Sequence, residues 1–212
     1  MKLYTYYRSS ASYRVRIALA LKSITYTSHS INLVETRQKT PEYLAQNPQG
    51  LIPALEIGEG QVVSQSSAII EWLEESFPTP PLLPSDRFMR AKVRSLINHI
   101  ACDIHPLNNL SVQQYLAQNM NANAEQVLAW YSHWVQRGFN SIELIAREGN
   151  GLYCIGDQPG MADCYLIPQV FNAMRFHVDI NAYPAIMSIY EHCNMLESFQ
   201  QAHPDRQPDT PA

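Results

Sequence analysis

The sequence lacks the features that mark several large classes of protein. Lys and Arg total 15 against 19 Asp and Glu, and the basic residues form no run. The formal net charge of −4 argues against a nucleic-acid surface and against binding to an anionic membrane. No apolar segment reaches the roughly 20 residues that cross a bilayer. A small molecule is therefore the favoured partner.

Cysteine is also scarce, and its spacing indicates neither a redox motif nor a metal site. The chain has four cysteines: Cys102, Cys154, Cys164 and Cys193. None forms a C-x-x-C pair and no signal-like apolar stretch follows Met1-Lys2, so we expect buried free thiols in a reducing, cytoplasmic environment. Cys102 with His105 supplies only half of a zinc site, and we expect no bound metal.

The first part of the chain alternates strand and helix patterns. The order is β-α-β, a short helix, then β-β-α, with predicted elements over 3–6, 12–22, 26–31, 42–46, 54–57, 61–63 and 66–77. The first half needs a parallel pair with a crossover helix, whereas Gly58-Glu59-Gly60 predicts a hairpin turn. Residues 1–84 are therefore predicted to form a thioredoxin-like α/β domain, a small mixed sheet with helices on its faces.

A proline-rich segment, Thr79 to Pro84, cannot continue a helix and marks a domain boundary. The periodicity beyond it is helical throughout, so residues 85–212 are predicted to form an all-α domain. The predicted helices cover 88–116, 124–147, 161–174, 184–193 and 196–202. The polar, proline-broken tail over 203–211 is expected to lie extended on the surface.

The most informative segment is Arg8-Ser-Ser-Ala-Ser-Tyr-Arg-Val-Arg16, which places hydroxyls between a short apolar strand and an amphipathic helix. Unpaired N–H groups and the positive end of the helix dipole favour an anion such as a thiolate or a carboxylate at this position. Ala11 occupies the place where a redox protein of this shape carries cysteine. A nucleophile is therefore expected to arrive with a ligand.

Two further segments extend this interpretation. Gln65-Ser66 begins a second helix, with Ser66 as the expected N-cap and a carboxylate as the expected ligand; the alternative is an ordinary capped surface helix. Ile52-Pro53 precedes a strand and is a candidate cis peptide, at which Ile52 can pair with a peptide-like ligand as an added strand does. The alternative for Ile52-Pro53 is a simple turn. Together the three segments describe a site for an extended, acidic, peptide-like thiol.

The sequence resembles the zeta-class glutathione transferases over essentially its whole length. The resemblance is carried by the S-S-x-S-x-R-V-R-I-A-L string from Ser9, by Asn47-Pro48 to Ile52-Pro53, by Q-S-x-A-I-I-E from Gln65 and by D-R-Q-P-D over 205–209. It implies glutathione as cofactor, a small dicarboxylate-like substrate and a homodimer. It also implies roles for single residues. Ser9, Ser10 and Ser12 are the implied catalytic residues. The implied glutathione ligands are Ser9, Ser10, Gln38, Gln49, Ile52, Gln65, Ser66, His105, Asn109 and Ser111. The implied substrate ligands are Arg8, Arg14 and Arg175.

The implied reaction is glutathione-dependent cis–trans isomerisation of maleylacetoacetate, in tyrosine and phenylalanine breakdown. The apolar Leu110 favours that substrate over maleylpyruvate, which stays open as the alternative. Conjugation or dehalogenation of α-halo acids would use the same thiolate. A non-catalytic scaffold is disfavoured because the chain keeps Ser9 and the Gln65-Ser66 pair. Three structural alternatives also stay open: His105 can simply bend or cap a helix, Arg175 can be a solvated helix-end cation, and Gly160 to Asp163 is expected to cap a helix.

Overall fold

The computed structural model describes residues 1–149 and 151–211, which form two compact units. One unit comprises Met1–Leu82 together with the segment from Asn194 onward, and the other comprises Leu83–Cys193. The division near residue 82 agrees with the proline-rich boundary. The C-terminal segment differs from the sequence-based division, which placed all of 85–212 in one domain. It joins the first unit because helix Glu197–Ala202 packs on helix Ser10–Leu21.

The first unit contains the predicted mixed sheet with helices on its faces. Its strands are β1 (Lys2–Thr5), β2 (Thr27–Ser30), β3 (Ala54–Gly58) and β4 (Gln61–Ser64). Its first three helices are α1 (Ser10–Leu21), α2 (Pro41–Leu44) and α3 (Ser66–Ser76), and a 3-10 turn lies at Arg37–Lys39. The strand order is β2-β1-β3-β4, with β1 parallel to β2 and antiparallel to β3. The predicted hairpin joins β3 to β4, and Gly58, Glu59 and Gly60 all have positive φ.

The strand register places three chain segments at one end of the sheet. Tyr4 of β1 pairs with Ala54 of β3, and Ala54 pairs with Ser64 of β4. The chain that leaves β1 toward Ser9, the chain that enters β3 from Ile52 and the chain that leaves β4 toward Gln65 therefore lie side by side. The sheet topology thus brings together the three segments that the sequence singled out.

The second unit is helical, but one predicted helix is divided. Its helices are α4 (Arg87–Asn98), α5 (Leu110–Asn119), α6 (Ala124–Glu148), α7 (Met161–Arg175) and α8 (Pro184–Asn194). The predicted continuous helix over 88–116 is wrong, because a π-helical segment follows at His99–Ile104 and a 3-10 turn at Pro106–Asn108. Gly138 of α6 packs so closely here that a β-carbon on it would overlap the Ile104 side chain. The helical periodicity of the sequence does not predict this contact.

The C-terminal segment also differs from its prediction. After α9 (Glu197–Ala202) the chain makes a 3-10 turn at Pro204–Arg206, and the Thr210 N–H then donates to the Gln207 carbonyl at 3.1 Å. The tail is thus folded back by its own hydrogen bonds, and it is not extended. Across the described ranges, 1–149 and 151–211, no helix is both long and apolar enough to cross a membrane.

The cysteine prediction is correct for three positions and wrong for one. Cys154, Cys164 and Cys193 are buried, whereas Cys102 is exposed. The predicted cap of α7 is confirmed: Asp163 accepts hydrogen bonds from the backbone N–H groups of Gly160 at 2.8 Å and Cys154 at 2.9 Å. Burial raises the pKa of Asp163, and these backbone donors oppose that rise.

Candidate functional site

Ser9 is the N-cap of α1. Its hydroxyl accepts a hydrogen bond from the Ser12 N–H at 3.2 Å, and its own N–H donates to the Tyr6 carbonyl at 3.0 Å. Its side chain is half-buried, while that of Ser10 is buried. The first-turn N–H groups and the helix dipole make this the positive end of α1. Ser9 therefore presents a hydroxyl where an anion is stabilised.

Ser12 does not fit the catalytic role implied for it. Its residue is 0% exposed. Within residues 1–149 and 151–211 its hydroxyl has no hydrogen-bond partner. A buried hydroxyl of this kind has no open face toward a thiol. What Ser12 contributes to the helix start is its backbone N–H, which holds the Ser9 hydroxyl in place.

Arg8 supplies an exposed positive charge immediately before this helix. Its Nη2 donates to the Tyr6 hydroxyl at 3.3 Å, and its guanidinium lies 5.1 Å from the centre of the Tyr7 ring. This hydrogen bond to the Tyr6 hydroxyl raises the pKa of Arg8. The side chain is thus a permanent cation that two aromatic rings hold beside the Ser9 turn, in a position suited to a carboxylate.

Arg14 lies in the interior and not where a substrate can reach it. Its residue is 2% exposed, and its Nη1 donates to the Ser66 hydroxyl at 3.3 Å. The implied role as a substrate ligand therefore gives way to a different one. From the second turn of α1, Arg14 reaches the first residue of α3, and so joins the two helices whose starts the sequence identified as anion sites.

The start of α3 has an unusual backbone. Gln65, not Ser66, is the N-cap, and its φ of 71° lies in the left-handed region that non-glycine residues rarely occupy. Ser66 is instead the first residue of the helix. The Gln65 side chain donates from Nε2 to the Gln49 Oε1 at 2.8 Å. Residues with such backbone angles cluster at ligand sites.

The loop that carries Gln38, Gln49 and Ile52 is held together at Gly50. Gly50 has a φ of +61°, and a β-carbon on it would lie 2.9 Å from the Gln38 carbonyl oxygen. The Leu51 carbonyl accepts hydrogen bonds from the Tyr43 hydroxyl at 2.6 Å and the Asn47 side chain at 2.7 Å. The Ile52-Pro53 bond is cis, as the sequence suggested.

The candidate residues of the second unit lie in two segments, and each segment contacts Tyr131 of α6. Arg175 is exposed at the end of α7, and its guanidinium lies 4.6 Å from the centre of the Phe176 ring. Phe176 stacks on Tyr131 with ring centres 4.1 Å apart. The Tyr131 carbonyl accepts from the Asn108 side chain at 3.3 Å. Arg175 is thereby tied, through two rings and a hydrogen bond, to the segment that contains His105 and Asn109.

Asn109 and Ser111 bond to each other. Asn109 caps α5, and its Oδ1 accepts from the Ser111 N–H at 3.1 Å and from the Ser111 hydroxyl at 3.3 Å. His105 follows the π-helical segment and is half-buried, with its N–H donating to the Ile100 carbonyl at 2.9 Å. The geometry gives each of these residues a local structural role. Their implied contacts with glutathione stay predictions.

Comparisons with known proteins show the family of the chain. Residues 8–76 match the family model of the glutathione S-transferase N-terminal domain. The maleylacetoacetate isomerase of Pseudomonas aeruginosa is 50% identical over 100% of both chains. A solved maleylpyruvate isomerase, described as a bacterial glutathione transferase of the zeta class, superposes with a TM-score of 0.97 at 44% identity over 100% of both chains. The chain belongs to the zeta-class glutathione transferases.

A further relative shows what a member of this zeta class can bind. The maleylacetoacetate isomerase of Methylobacterium extorquens AM1, solved with malonate and glutathione, has a TM-score of 0.96 at 39% identity over 100% of both chains. The polar groups of this zeta-class chain fit a tripeptide thiol. It combines two helix starts for anions, two glutamine side chains, and a buried Gln38 Oε1 that has no hydrogen-bond partner in the described part of the chain.

Three features of this zeta-class site were missed by sequence reasoning. They are the Arg14–Ser66 hydrogen bond, the close packing at Gly50, and a contact of Asp209 with the backbone of Tyr7. A signal existed for the first, because Arg14 and Arg16 stand within an otherwise apolar helix pattern. Charged residues at such positions need partners in the interior. No local pattern identifies the other two.

Proposed function

We propose that this chain is a glutathione-dependent cis–trans isomerase that converts maleylacetoacetate to fumarylacetoacetate. The observation that carries the proposal is the pairing of two helix starts, in which Ser9 caps α1 and Arg14 of α1 reaches Ser66 at the start of α3. One helix start suits a thiolate and the other a carboxylate, and one extended peptide-like ligand can carry both groups.

Glutathione, when bound, supplies a thiolate that adds to the carbon–carbon double bond, so that rotation can precede elimination. The protein's own part is to hold and orient charge. Ser9 and the α1 N-terminus lower the pKa of a thiol placed there. Gln65 and Ser66 would hold the γ-glutamyl carboxylate, and Ile52 the cysteinyl backbone. Ser10, Gln38 and Gln49 would complete the groove.

The substrate's negative charges need cationic partners. Arg8 is exposed and keeps its charge beside Ser9, and Arg175 is exposed at the end of α7. We assign Arg8 to the carboxylate and the developing enolate near the reacting carbon, and Arg175 to a second carboxylate. His105, Asn109 and Ser111 remain candidate ligands from the helical domain. Malonate in the Methylobacterium relative is a small dicarboxylate and supports this substrate class.

Maleylpyruvate is the second candidate substrate, because the solved relative with a TM-score of 0.97 is a maleylpyruvate isomerase. The exposed apolar side chain of Leu110 favours maleylacetoacetate, which has the longer carbon chain. Turnover of maleylacetone, maleylpyruvate and a chloroacid should be compared at equal glutathione. We expect maleylacetone to be isomerised fastest. Conjugation of the chloroacid at a higher rate than isomerisation would overturn the proposal in favour of a dehalogenating transferase.

The role of Ser9 gives a sharper test of the same proposal. Removing one donor that stabilises a reacting anion lowers kcat roughly 100-fold or more. We expect Ser9→Ala to lower isomerase kcat to that extent, with Ser9→Thr retaining part of it. Ser67→Ala, at a half-buried serine in the first turn of α3, would serve as a control for general damage. Ser9→Ala with full activity, or a wild-type protein that does not bind glutathione, would favour a non-catalytic scaffold.

Four broader assignments belong to this proposal. Residues 1–84 would bind glutathione and the helices between 85 and 193 would contribute the substrate site, while the C-terminal segment belongs to the first unit. The enzyme would act in the cytoplasm, which suits its buried free thiols.

It would form a homodimer, and Phe88, 67% exposed at the start of α4, offers an apolar contact. Sedimentation of wild type and Phe88→Ser tests the dimer. Genes for a dioxygenase and a fumarylacetoacetate hydrolase nearby would support tyrosine and phenylalanine catabolism.

A further inference from the structure

The C-terminal D-R-Q-P-D segment has no part in the chemistry described above, yet it is firmly anchored. The Thr210 hydroxyl donates to the Pro204 carbonyl at 2.6 Å. The Gln207 side chain donates to the carbonyls of Gln201 and His203, each at 2.9 Å. These bonds fold 204–210 into a compact turn that follows α9. The turn directs the side chain of Asp209 toward the sheet.

Asp209 binds the chain where it leaves β1. Its Oδ2 accepts from the Tyr7 N–H at 3.0 Å and from the Ser30 hydroxyl at 2.8 Å. Ser30 pairs with Thr5 in the parallel β1–β2 ladder, so the two donors come from adjacent strand ends. Hydrogen bonds to a carboxylate are stronger than those between neutral groups. One carboxylate thus joins both strand ends to the C-terminal turn.

Arg16 holds the same peptide from the other side. Its residue is 1% exposed, and its Nη2 donates to the Tyr7 carbonyl at 3.0 Å. Its Nη1 donates to the Tyr6 carbonyl at 3.4 Å, and its Nε to the Ala202 carbonyl of α9 at 2.9 Å. Burial lowers the pKa of Arg16 to about 10, so the group remains a cation at neutral pH.

Tyr7 is therefore held at both ends of its own backbone, two residues before the Ser9 cap. The Asp209 carboxylate binds its N–H and the Arg16 guanidinium binds its carbonyl. Ser9 in turn donates its N–H to the carbonyl of Tyr6, the residue before Tyr7. The direction in which the chain enters α1, and with it the position of the Ser9 hydroxyl, depends on this clamp.

We propose that Asp209 is a positioning residue for the thiol site: with Arg16 it fixes the Tyr7 peptide and thereby sets the orientation of Ser9. The inference rests on the proposed function for its consequence, because Ser9 is taken to activate glutathione. It does not rest on that function for its geometry. Asp209 contacts backbone and Ser30, and it acts on the thiol only through Ser9.

Asp209→Ala tests the proposal, with Asp205→Ala as the matched control. Asp205 lies in the same turn, and its side chain is 74% exposed. Amide hydrogen exchange over Tyr7 to Ser12 should be measured first, without ligand. We expect exchange to become about tenfold faster in Asp209→Ala, since loss of a charge-assisted hydrogen bond removes at least the equivalent of a factor of ten. Asp205→Ala should leave it unchanged.

The pKa of the bound glutathione thiol separates positioning from a simple charge effect. Removing a nearby negative charge would by itself lower the thiol pKa. Misplacing Ser9 would raise it, and we expect a rise of about one unit, which is tenfold less thiolate at neutral pH. A fall in the thiol pKa, or exchange rates equal to those of Asp205→Ala, would overturn the proposal.

Two further measurements decide the proposal if Asp209→Ala does not fold or if wild type does not bind glutathione. If Asp209→Ala does not fold, Asp209→Asn against Asp205→Asn replaces it, because asparagine keeps one acceptor for the Tyr7 N–H and the same changes are expected at smaller size. If wild type does not bind glutathione, the proposed function fails. The exchange comparison still decides whether Asp209 anchors the turn.

Discussion

Arg14 donates a hydrogen bond to the hydroxyl of Ser66 across the interior between α1 and α3, with 3.3 Å between Nη1 and Oγ. Because the guanidinium can only donate, the Ser66 oxygen must accept, and its own hydrogen is left to point away from Arg14. Arg14 thus orients Ser66 as a donor, which is the polarity that a ligand carboxylate requires.

We expect Arg14→Met to weaken glutathione binding about tenfold with little change in kcat, because the loss concerns the γ-glutamyl end and not the sulfur. Calorimetric affinities should be measured for Arg14→Met, Ser66→Ala and the double variant. The two effects should be non-additive, since both remove the same oriented hydroxyl. Additive losses would mean that Arg14 acts independently of Ser66.

Alanine substitutions at the two serines Ser9 and Ser12 should change the free energy of unfolding differently. Ser9→Ala removes the cap that the Ser12 N–H uses and should lower the free energy of unfolding by about 1 kcal/mol. Ser12→Ala removes a buried hydroxyl that has no partner among residues 1–149 and 151–211, so it should leave stability unchanged or raise it. Urea unfolding of both variants measures the contrast. A loss of stability in Ser12→Ala would show that its hydroxyl is hydrogen-bonded in solution.

Gly50 and Gly60 form a matched pair for testing the loop that carries Gln38, Gln49 and Ile52, which we propose contacts glutathione. Both have positive φ, at +61° and +75°, so alanine strains either backbone by about 1 kcal/mol. Only at Gly50 would the added β-carbon meet another group, the Gln38 carbonyl at 2.9 Å; at Gly60 nothing described lies within 4 Å. We expect Gly50→Ala to weaken glutathione binding several-fold beyond any effect of Gly60→Ala. Equal affinities would show that the Gln38–Gln49 loop does not contact the ligand.

Local patterns predicted most of the fold because each strand or helix carries its own signal. The β-α-β order, the Gly58-Glu59-Gly60 hairpin and the Asp163 cap all depend on residues within a few positions of one another. The close contact between Gly138 and Ile104, by contrast, joins residues 34 positions apart in sequence. Contacts at such separations leave no periodic trace.

The site was predictable to the same extent. Ser9 and the Gln65-Ser66 pair were singled out because helix starts favour hydroxyls and amides, and the sheet topology brings them to one end of the sheet. Arg14 and Ser12 do not fit the ligand-contacting roles that the resemblance implied, because their side chains are buried. A motif shows which residue types occur together. It does not show which of them face a ligand and which hold the others in place.

Two ion pairs with the same N–O distance allow a direct test of how burial changes the contribution of an ion pair to stability. Lys22–Glu74 and Lys2–Glu56 both have an N–O distance of 2.8 Å, but the side chains are 0% and 7% exposed in the first pair and 40% and 25% in the second. Lys22 also donates to the Phe77 carbonyl at 2.6 Å and the Pro80 carbonyl at 2.9 Å. The Glu74 carboxylate accepts from the Leu82 N–H at 3.0 Å.

Breaking a buried pair leaves an uncompensated charge and costs about 3–5 kcal/mol, whereas an exposed pair contributes about 1 kcal/mol or less. We therefore expect Lys22→Met to lower the free energy of urea unfolding by several kcal/mol and Lys2→Met to change it little. Added salt should reduce the loss of stability in Lys2→Met and leave the loss in Lys22→Met unchanged, because dissolved ions screen only the exposed pair. Equal losses in the two variants would mean that water reaches Lys22 and Glu74, and the segment from Phe77 to Leu82 would then not be anchored by this pair.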